Sequence, residues 1–144
     1  MTDVKESAAR FIRAFNAHDE NAMRLLNDPN GTFEAPGGVH LQGRDASGYA
    51  MKWLRACPDG QLTVRNELIS GPWVVEEATF SGTHQGALDT PAGTIAATGR
   101  KLAVSCVLIT RYENDLAVEA RVIFDQLEVL TQIGAMPTLA GATV

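Results

Sequence analysis

The chain has 144 residues and a formal net charge of −5, with 45% hydrophobic and 20% charged residues. This length and composition predict one folded domain and exclude a disordered chain. The negative charge and the scattered Lys and Arg residues exclude a general attraction to nucleic acid or to an anionic membrane surface. No apolar run reaches the roughly 20 residues that a membrane-spanning helix needs.

The N-terminus and the cysteines bear on location and on metal binding. The first six residues lack the basic start and the apolar stretch of a signal peptide, so we expect a cytoplasmic protein. Cys57 and Cys106 lie far apart without a CxxC motif, which favours two buried free thiols in a reducing compartment. The three histidines are scattered along the chain, so no metal site is expected.

Two helices are predicted near the N-terminus. Asp3 and Glu6 have the spacing of a capping box, and an apolar face with helical spacing follows them. The members of that face are Ala8, Phe11, Ile12 and Phe15. Asp19 can cap a second, short helix that ends at the turn-forming residues 27–31, and a short strand is expected over residues 32–35.

A third helix is predicted before Pro58-Asp59-Gly60, which ends it. Its apolar face is formed by Ala46, Tyr49, Ala50, Trp53, Leu54 and Cys57. From Leu62 onward the period of the hydrophobic residues changes from helical to alternating, which is typical of strands. We expect Leu62, Val64 and Leu68 to share one face of the first of these strands.

Three long strands and a final helix are predicted in the C-terminal half. The strands cover residues 73–83, 101–112 and 116–124. A tight hairpin at Glu113-Asn114-Asp115 joins the last two strands. The final helix, residues 126–133, begins after Asp125 and ends at Gly134.

This order of elements predicts the fold class. Helices followed by a run of long antiparallel strands are an α+β arrangement. We expect a single domain over residues 1–137 and a loosely ordered tail over residues 138–144.

Five short motifs follow one another along nearly the whole chain. They are Ala14-Phe15-Asn16-Ala17-His18-Asp19, Gly82-Thr83-His84-Gln85-Gly86, Pro91-Ala92-Gly93 with Thr98-Gly99-Arg100, Phe124-Asp125-Gln126-Leu127, and Thr131-Gln132-Ile133-Gly134. In this order they resemble the SnoaL-like polyketide cyclases of the nuclear-transport-factor-2-like superfamily. The resemblance implies a cone-shaped α+β barrel, in which a curved antiparallel sheet wraps around the N-terminal helices and encloses an apolar pocket. It also implies a homodimer that forms through the outer face of the sheet.

The resemblance also bears on the reaction. Polyketide cyclases of this family close a ring by aldol chemistry without a cofactor, using a carboxylate on the last strand. Counting back from Gln132-Ile133-Gly134 places that carboxylate at Val122, which has no proton to exchange. Polar cavity residues of those cyclases fall on Ala120, Cys106 and Leu108. The standard aspartate mechanism is therefore not expected, and since the family includes hydroxylases of anthracycline pathways, the fold does not decide the reaction.

Glu76 and Glu77 are the first candidates for a different base. They are neighbours in a predicted strand, so alternation sends one to each face of the sheet. We place Glu77 in the cavity because it shares its face with Thr79 and Ser81. A carboxyl in an apolar cavity has a raised pKa, which suits a general acid or base near neutral pH. The alternative is a buried glutamate that pairs with Arg65.

Asp125 and His84 complete the catalytic candidates. Asp125 and Glu128 have capping-box spacing, and Asp125 is also the second candidate base. His84 lies between Gly82 and Gly86, where it can orient a carboxylate or a ligand oxygen. The alternative for His84 is a structural one, in which it fixes a corner of the sheet through hydrogen bonds.

The sequence thus predicts an enzyme that needs no cofactor and performs acid–base chemistry on a small, apolar, polyketide-like carbonyl compound. The residues expected to contact this compound are Phe15, Tyr49, Trp53, Cys106, Leu108, Val122 and Phe124. The alternative is a non-catalytic domain of the same fold that binds a small molecule or serves in assembly. The apolar residues at Val122 and Ala120 favour that alternative.

Overall fold

A computed structural model describes residues 3–136 of the chain. Within this range the α-helices are α1 (Val4–Asn16), α2 (Glu20–Leu25), α3 (Ala46–Ala56) and α4 (Gln126–Gln132). The strands are β1 (Asn27–Ala35), β2 (Val39–Gln42), β3 (Gln61–Ser70), β4 (Trp73–Thr83), β5 (Leu88–Thr90), β6 (Gly93–Ile95), β7 (Lys101–Glu113) and β8 (Leu116–Phe124). The tail predicted over residues 138–144 lies outside the described residues.

The predicted helix caps are present. The Asp3 side chain accepts a hydrogen bond from the Glu6 backbone N–H at 3.1 Å, and the Asp19 side chain accepts one from the Ala22 N–H at 3.0 Å. These bonds satisfy backbone donors that the first turn of a helix leaves free. The predicted starts of α1 and α2 are confirmed.

The sheet is mixed and open. Six strands follow the order β2-β1-β8-β7-β4-β3, and β5 pairs with β6 in a separate hairpin. β1 runs parallel to β8, whereas the other pairs in the large sheet are antiparallel. The α+β class and the curved sheet are confirmed, but the sheet is not closed into a barrel and is not wholly antiparallel. No helix in the described part of the chain is long and apolar enough to cross a bilayer.

The N-terminal part of the sheet differs from the prediction. Residues 27–31, expected as a turn, belong to β1, whose pairing with β8 is irregular between Asn27 and Thr32. Gly31 permits this close approach, because a Cβ there would lie 3.0 Å from the Ala117 carbonyl oxygen. Turn-forming residues therefore make an irregular strand here, because β8 supplies a partner for the backbone. Strands β2, β5 and β6 were not predicted.

A β-bulge at Arg65 changes which residues of β3 face the helices. Val64 pairs with Ala78 on β4, but the next pair is Asn66 with Glu77, so Arg65 is the extra residue. The alternation of side chains reverses beyond this point. The prediction that Leu68 shares the buried face of Leu62 and Val64 is wrong, because Leu68 is 66% exposed.

The two faces of the sheet have different surroundings. The inner face carries Val74, Ala78 and Phe80 on β4, which are buried under the helices. Phe15 from α1 and Trp53 from α3 both pack against Phe80, with ring centroids 6.0 and 5.9 Å apart. On the outer face of the same strand Val75 and Thr79 are half-buried and Glu77 is exposed. The core and any enclosed space therefore lie on the inner side.

Candidate functional site

A cavity of about 130 Å³ lies between the inner face of the sheet and the helices. A single water needs only about 10–15 Å³ by the same measure, so the space is large enough for a small organic molecule. The seven residues predicted to contact a ligand all line it: Phe15, Tyr49, Trp53, Cys106, Leu108, Val122 and Phe124. The structure brings this predicted wall together, while the role of each residue in binding stays a prediction.

Aromatic side chains form much of the wall. The Trp53 ring meets the Phe124 ring edge-on at 5.4 Å, which links α3 to β8. Tyr49 contacts Phe33 with ring centroids 5.1 Å apart, which links α3 to β1. Tyr49 and Trp53 are one helical turn apart, so a single face of α3 positions both rings. Aromatic contacts of this kind fix the rings and keep the wall apolar.

Glu76 is the carboxyl of the inner face. It lines the cavity, and only 4% of its surface is exposed. Burial raises its pKa to about 7, and the negative charge of Glu67 adds to this effect. Within residues 3–136 no hydrogen bond or cation offsets these two causes. Glu76 therefore has the raised pKa that a general acid or base needs near neutral pH.

Glu77 lies on the opposite face, so the prediction that it faces the cavity is wrong. It is exposed, and its Oε1 accepts a hydrogen bond from the Asn66 side chain at 3.0 Å. The polar neighbours Thr79 and Ser81, which had favoured Glu77, lie on the outer face of the sheet. The predicted alternative of a pair with Arg65 is also wrong, because the Arg65 guanidinium lies 3.4 Å from the Ser105 hydroxyl on the outer face.

Asp125 lies at the start of α4, outside the cavity lining. Its Oδ1 accepts hydrogen bonds from the backbone N–H groups of Leu127 at 2.9 Å and Glu128 at 3.3 Å. The predicted cap is therefore present. The Glu128 carboxyl does not return a bond to Asp125 and instead accepts one from Gln132 at 3.2 Å. The carboxyl of Asp125 is exposed, which is the position of a structural cap.

His84 is fully buried and is also absent from the cavity lining. Its Nδ1 accepts a hydrogen bond from the Thr98 backbone N–H at 3.3 Å, and its backbone N–H donates to the Arg100 carbonyl at 2.8 Å. Burial lowers the pKa of the ring, which favours the neutral form. These contacts match the alternative in which His84 fixes a corner of the sheet.

Tyr112 and Thr110 are cavity residues that the sequence pattern did not reveal. Thr110 and Tyr112 follow Leu108 by two and four residues, so all three share the inner face of β7. Alternation along that strand was the signal that could have found them. Tyr112 is 5% exposed, and burial raises its pKa, with a further contribution from the nearby Glu76. Glu76 therefore has a buried phenol in its neighbourhood.

The described residues contain no cluster of three or more His, Cys, Asp or Glu side chains that could hold a metal ion. Cys106 lines the cavity, but burial raises the pKa of its thiol to about 11. A thiol with this pKa is neutral at physiological pH and is a weak nucleophile. Of the Glu76 carboxyl and the Cys106 thiol, the carboxyl is the group whose protonation changes near neutral pH.

The profile of the SnoaL-like polyketide cyclases matches residues 6–133. The chain belongs to the SnoaL-like polyketide cyclase family. No curated protein matches this SnoaL-like chain.

Solved structures show the same fold. A proposed SnoaL-like polyketide cyclase from Jannaschia sp. CCS1 is 21% identical, with a TM-score of 0.80 and 93% of each chain covered. IdmH, a proposed polyketide cyclase from Streptomyces antibioticus, is 22% identical, with a TM-score of 0.77, and 92% of this chain and 99% of IdmH are covered. AclR, a proposed hydroxylase from Streptomyces galilaeus, is 20% identical, with a TM-score of 0.79, and 95% of this chain and 84% of AclR are covered.

This SnoaL-like chain has apolar side chains where the resemblance placed polar ones. Val122 and Ala120 both line the cavity, and Val122 pairs with Leu108 across β7 and β8. The inner face of β8 therefore presents no acid to the cavity. The acid of this cavity lies on β4, two strands away from β8 in the sheet.

Proposed function

We propose that this SnoaL-like protein is an enzyme that performs acid–base chemistry on a small, largely apolar carbonyl compound. Glu76 is its base, and no cofactor takes part. The observation that carries this proposal is the buried Glu76 carboxyl, which faces an apolar cavity without a hydrogen bond or cation to offset its charge within the described residues. Such a group gains and loses a proton near neutral pH, which is the property that general acid–base catalysis requires.

The reaction begins with the ionised form of Glu76. Its carboxylate takes a proton from the carbon next to a substrate carbonyl, and the C–H electron pair moves to give an enolate. The enolate carbon then attacks a second carbonyl of the same molecule and gives an alkoxide that needs a proton. Alternatively, the delocalised enolate is protonated at a different atom, which isomerises the compound. In either case the protonated Glu76 returns its proton to the product, and the enzyme ends as it began. The apolar wall supports this cycle because it keeps water away from the enolate.

The cavity limits the substrate. Its volume of about 130 Å³ and its aromatic wall fit a compact molecule with few polar groups. A polyketide-like compound with two carbonyl groups meets these requirements, since its α-protons are acidic enough for a carboxylate base. Short β-keto esters and β-diketones are the simplest probes of this class.

The test is exchange of α-protons for deuterium, followed by NMR with a panel of β-keto esters and β-diketones. We expect Glu76→Gln to lower the enzyme-catalysed exchange by about 10²–10⁴-fold, the usual contribution of a general base. Glu77→Gln is the matched control, because it removes a carboxyl one residue away on the outer face and leaves exchange unchanged. Equal rates in wild type and Glu76→Gln, on a compound that wild type processes, would remove Glu76 from the mechanism.

The second candidate is a non-catalytic domain that binds a small molecule, and the apolar Val122 and Ala120 favour it. Thermal unfolding with the same compounds separates the two candidates. A ligand at about 100 times its Kd stabilises the folded state by about 2.7 kcal/mol. A ligand that raises the melting temperature but undergoes no exchange supports the binding domain. Hydroxylation, the activity proposed for AclR, is tested by searching the same mixtures for an oxygenated product.

A homodimer in a reducing cytoplasm is part of the same proposal. The outer face carries the exposed apolar side chains of Leu68 and Ile123, which are 66% and 53% exposed, and half-buried Val107 and Ile109 lie between them. A second copy that covers this face would remove them from water. The free, buried thiols of Cys57 and Cys106 support a reducing compartment.

A further inference from the structure

The bulge at Arg65 brings a second carboxyl to the inner face of the sheet. Before the bulge, Leu62 and Val64 pair with inner-face residues of β4. After it, Glu67 pairs directly with Glu76. Residues that pair directly across antiparallel strands point to the same side of the sheet, with Cβ atoms about 4.5–5.5 Å apart. Glu67 therefore lies beside Glu76, although strict alternation from Leu62 and Val64 would put it on the outer face.

The two carboxyls differ in their access to water. Glu67 is half-buried on an edge strand of the sheet, whereas Glu76 is buried on β4 and faces the cavity. Like charges that lie directly opposite across a ladder repel each other. A negative charge on Glu67 therefore opposes a negative charge on Glu76, and the buried member of the pair retains its proton more strongly.

We propose that Glu67 is a positioning residue that acts through Glu76, holding the proton on the buried carboxyl by repulsion across the β3–β4 ladder. This inference rests on the proposed function, in which Glu76 is the base. A base that holds its proton more strongly takes a proton from carbon more readily. It can also return that proton at neutral pH. Glu67 thus strengthens the base in the first half of the proposed cycle and keeps Glu76 partly protonated near neutral pH for the second half, without contacting the substrate.

The other groups around Glu76 do not replace Glu67 in this role. On β7 the titratable neighbours are Cys106 and Tyr112, and burial raises the pKa of both, so they are neutral near pH 7. From α1 the cavity receives the apolar Phe11 and Phe15. The α1 guanidinium groups of Arg10 and Arg13 lie beside Glu6 on the exposed side of the helix. From α3 the cavity receives Tyr49, whose pKa is raised by burial so that it is also neutral near pH 7. On β8 Arg121 is among the lining residues, but it pairs with Ile109 of the outer face and does not offset the charge of Glu76.

The experiment is a ¹³C NMR titration of the side-chain carboxyl groups, with the Glu76 signal assigned by its absence in Glu76→Gln. We expect Glu67→Gln to lower the pKa of Glu76 by about 0.5 to 1, the effect of removing one partly solvated like charge. Glu77→Gln is the control, and we expect it to change this pKa by less than about 0.2, because its carboxyl lies across the sheet in solvent. In Glu67→Gln, the acid limb of the pH profile of kcat/KM for α-proton exchange should shift to lower pH by the same amount as the pKa of Glu76 measured by NMR.

The outcomes separate this inference from the proposed function. A Glu76 pKa that is unchanged in Glu67→Gln overturns the role of Glu67, whatever the activity. Unchanged exchange in Glu76→Gln overturns the proposed base, even where the pKa of Glu76 still responds to Glu67.

A salt titration of wild type keeps the inference testable if Glu67→Gln does not fold. Raising the salt concentration from about 0.1 M to 1 M shortens the screening length from about 10 Å to 3 Å. Repulsion from the partly solvated Glu67 is then weakened, whereas the effect of burial is not. We expect the pKa of Glu76 to fall as salt is added, and a pKa that is independent of salt would contradict the proposal.

Discussion

Glu76 and Glu77 are neighbours in β4, yet they lie in opposite surroundings. Glu76 faces the cavity with 4% of its surface exposed, and its pKa is raised to about 7. Glu77 faces solvent and accepts a hydrogen bond from Asn66. The two side chains have identical chemistry, so the difference comes entirely from the face of the sheet. The comparison shows that the cavity, rather than the residue type, creates the candidate base.

The largest expected effect concerns stability against pH. A carboxyl whose pKa is higher in the folded state than the ordinary 4.5 binds its proton more tightly after folding. The stability from this proton is fully present below pH 4.5 and is lost as the pH rises through about 7. At about 1.4 kcal/mol for each pKa unit, the loss is about 3 kcal/mol.

We therefore expect the free energy of unfolding of wild type to fall by about 3 kcal/mol as the pH rises from 4.5 to 8. Glu76→Gln should not show this loss, since glutamine has no proton to release. Urea denaturation at intervals from pH 4.5 to 8 measures the difference between the two proteins. Glu77→Gln should follow wild type over the whole range. Parallel plots of unfolding free energy against pH for wild type and Glu76→Gln would contradict the raised pKa of Glu76, and with it the difference between the two faces of β4.

Asp125 gives a smaller effect and sharpens the comparison with a third carboxyl. Its exposed side chain caps α4, so Asp125→Ala should lower the free energy of unfolding by about 1 kcal/mol. Asp125→Asn retains a capping oxygen and should unfold close to wild type, as measured by urea denaturation. Both variants should retain α-proton exchange. A loss of exchange in Asp125→Asn would assign Asp125 the catalytic role expected of it as the second candidate base.

The smallest effect tests whether a second copy of the chain covers the outer face of the sheet. Leu68→Thr should change the stability of the isolated chain by less than about 0.5 kcal/mol, because Leu68 is 66% exposed. If two copies pair through this face, the same change weakens their association, which sedimentation equilibrium measures. Leu25→Thr on α2 is the control, since Leu25 is 49% exposed and belongs to a helix rather than to the outer face of the sheet. A mass of one chain for wild type at every concentration would contradict the dimer.

The helices and the strand pattern could be predicted because their signals are local. Asp3, Asp19 and Asp125 are acids at capping positions, and each accepts a backbone hydrogen bond. The hairpin between β7 and β8 was also local, since Asn114 and Asp115 tolerate the positive φ angles of 50° and 65° that the turn requires. The apolar wall followed from the faces of α1 and α3, whose spacing fixed which rings point inward.

The site itself depended on pairing that the sequence does not display. Alternation puts Glu76 and Glu77 on opposite faces but does not say which face borders the cavity. The polar neighbours of Glu77 favoured the cavity in the prediction, whereas in the structure they mark the outer face. The bulge at Arg65 has no glycine or other local marker, so it reversed the pattern of β3 without a signal. The parallel pairing of β1 with β8 joins segments about 90 residues apart, as in the pair Asn27 with Ala117. Such contacts are set by tertiary packing.

The bulge in β3 also has a consequence for how proteins of this fold diverge. In a relative of the same length without the bulge, residue 66 would pair with Glu76 and the carboxyl of Glu67 would turn to the outer face, without replacing any amino acid of the cavity. Loss of the bulged residue itself would instead keep Glu67 opposite Glu76. The strength of the base would then change through the pairing register of an edge strand, where a shift disturbs few contacts. Such changes in register are recognised by aligning relatives on the residue pairs of the β3–β4 ladder rather than on sequence identity.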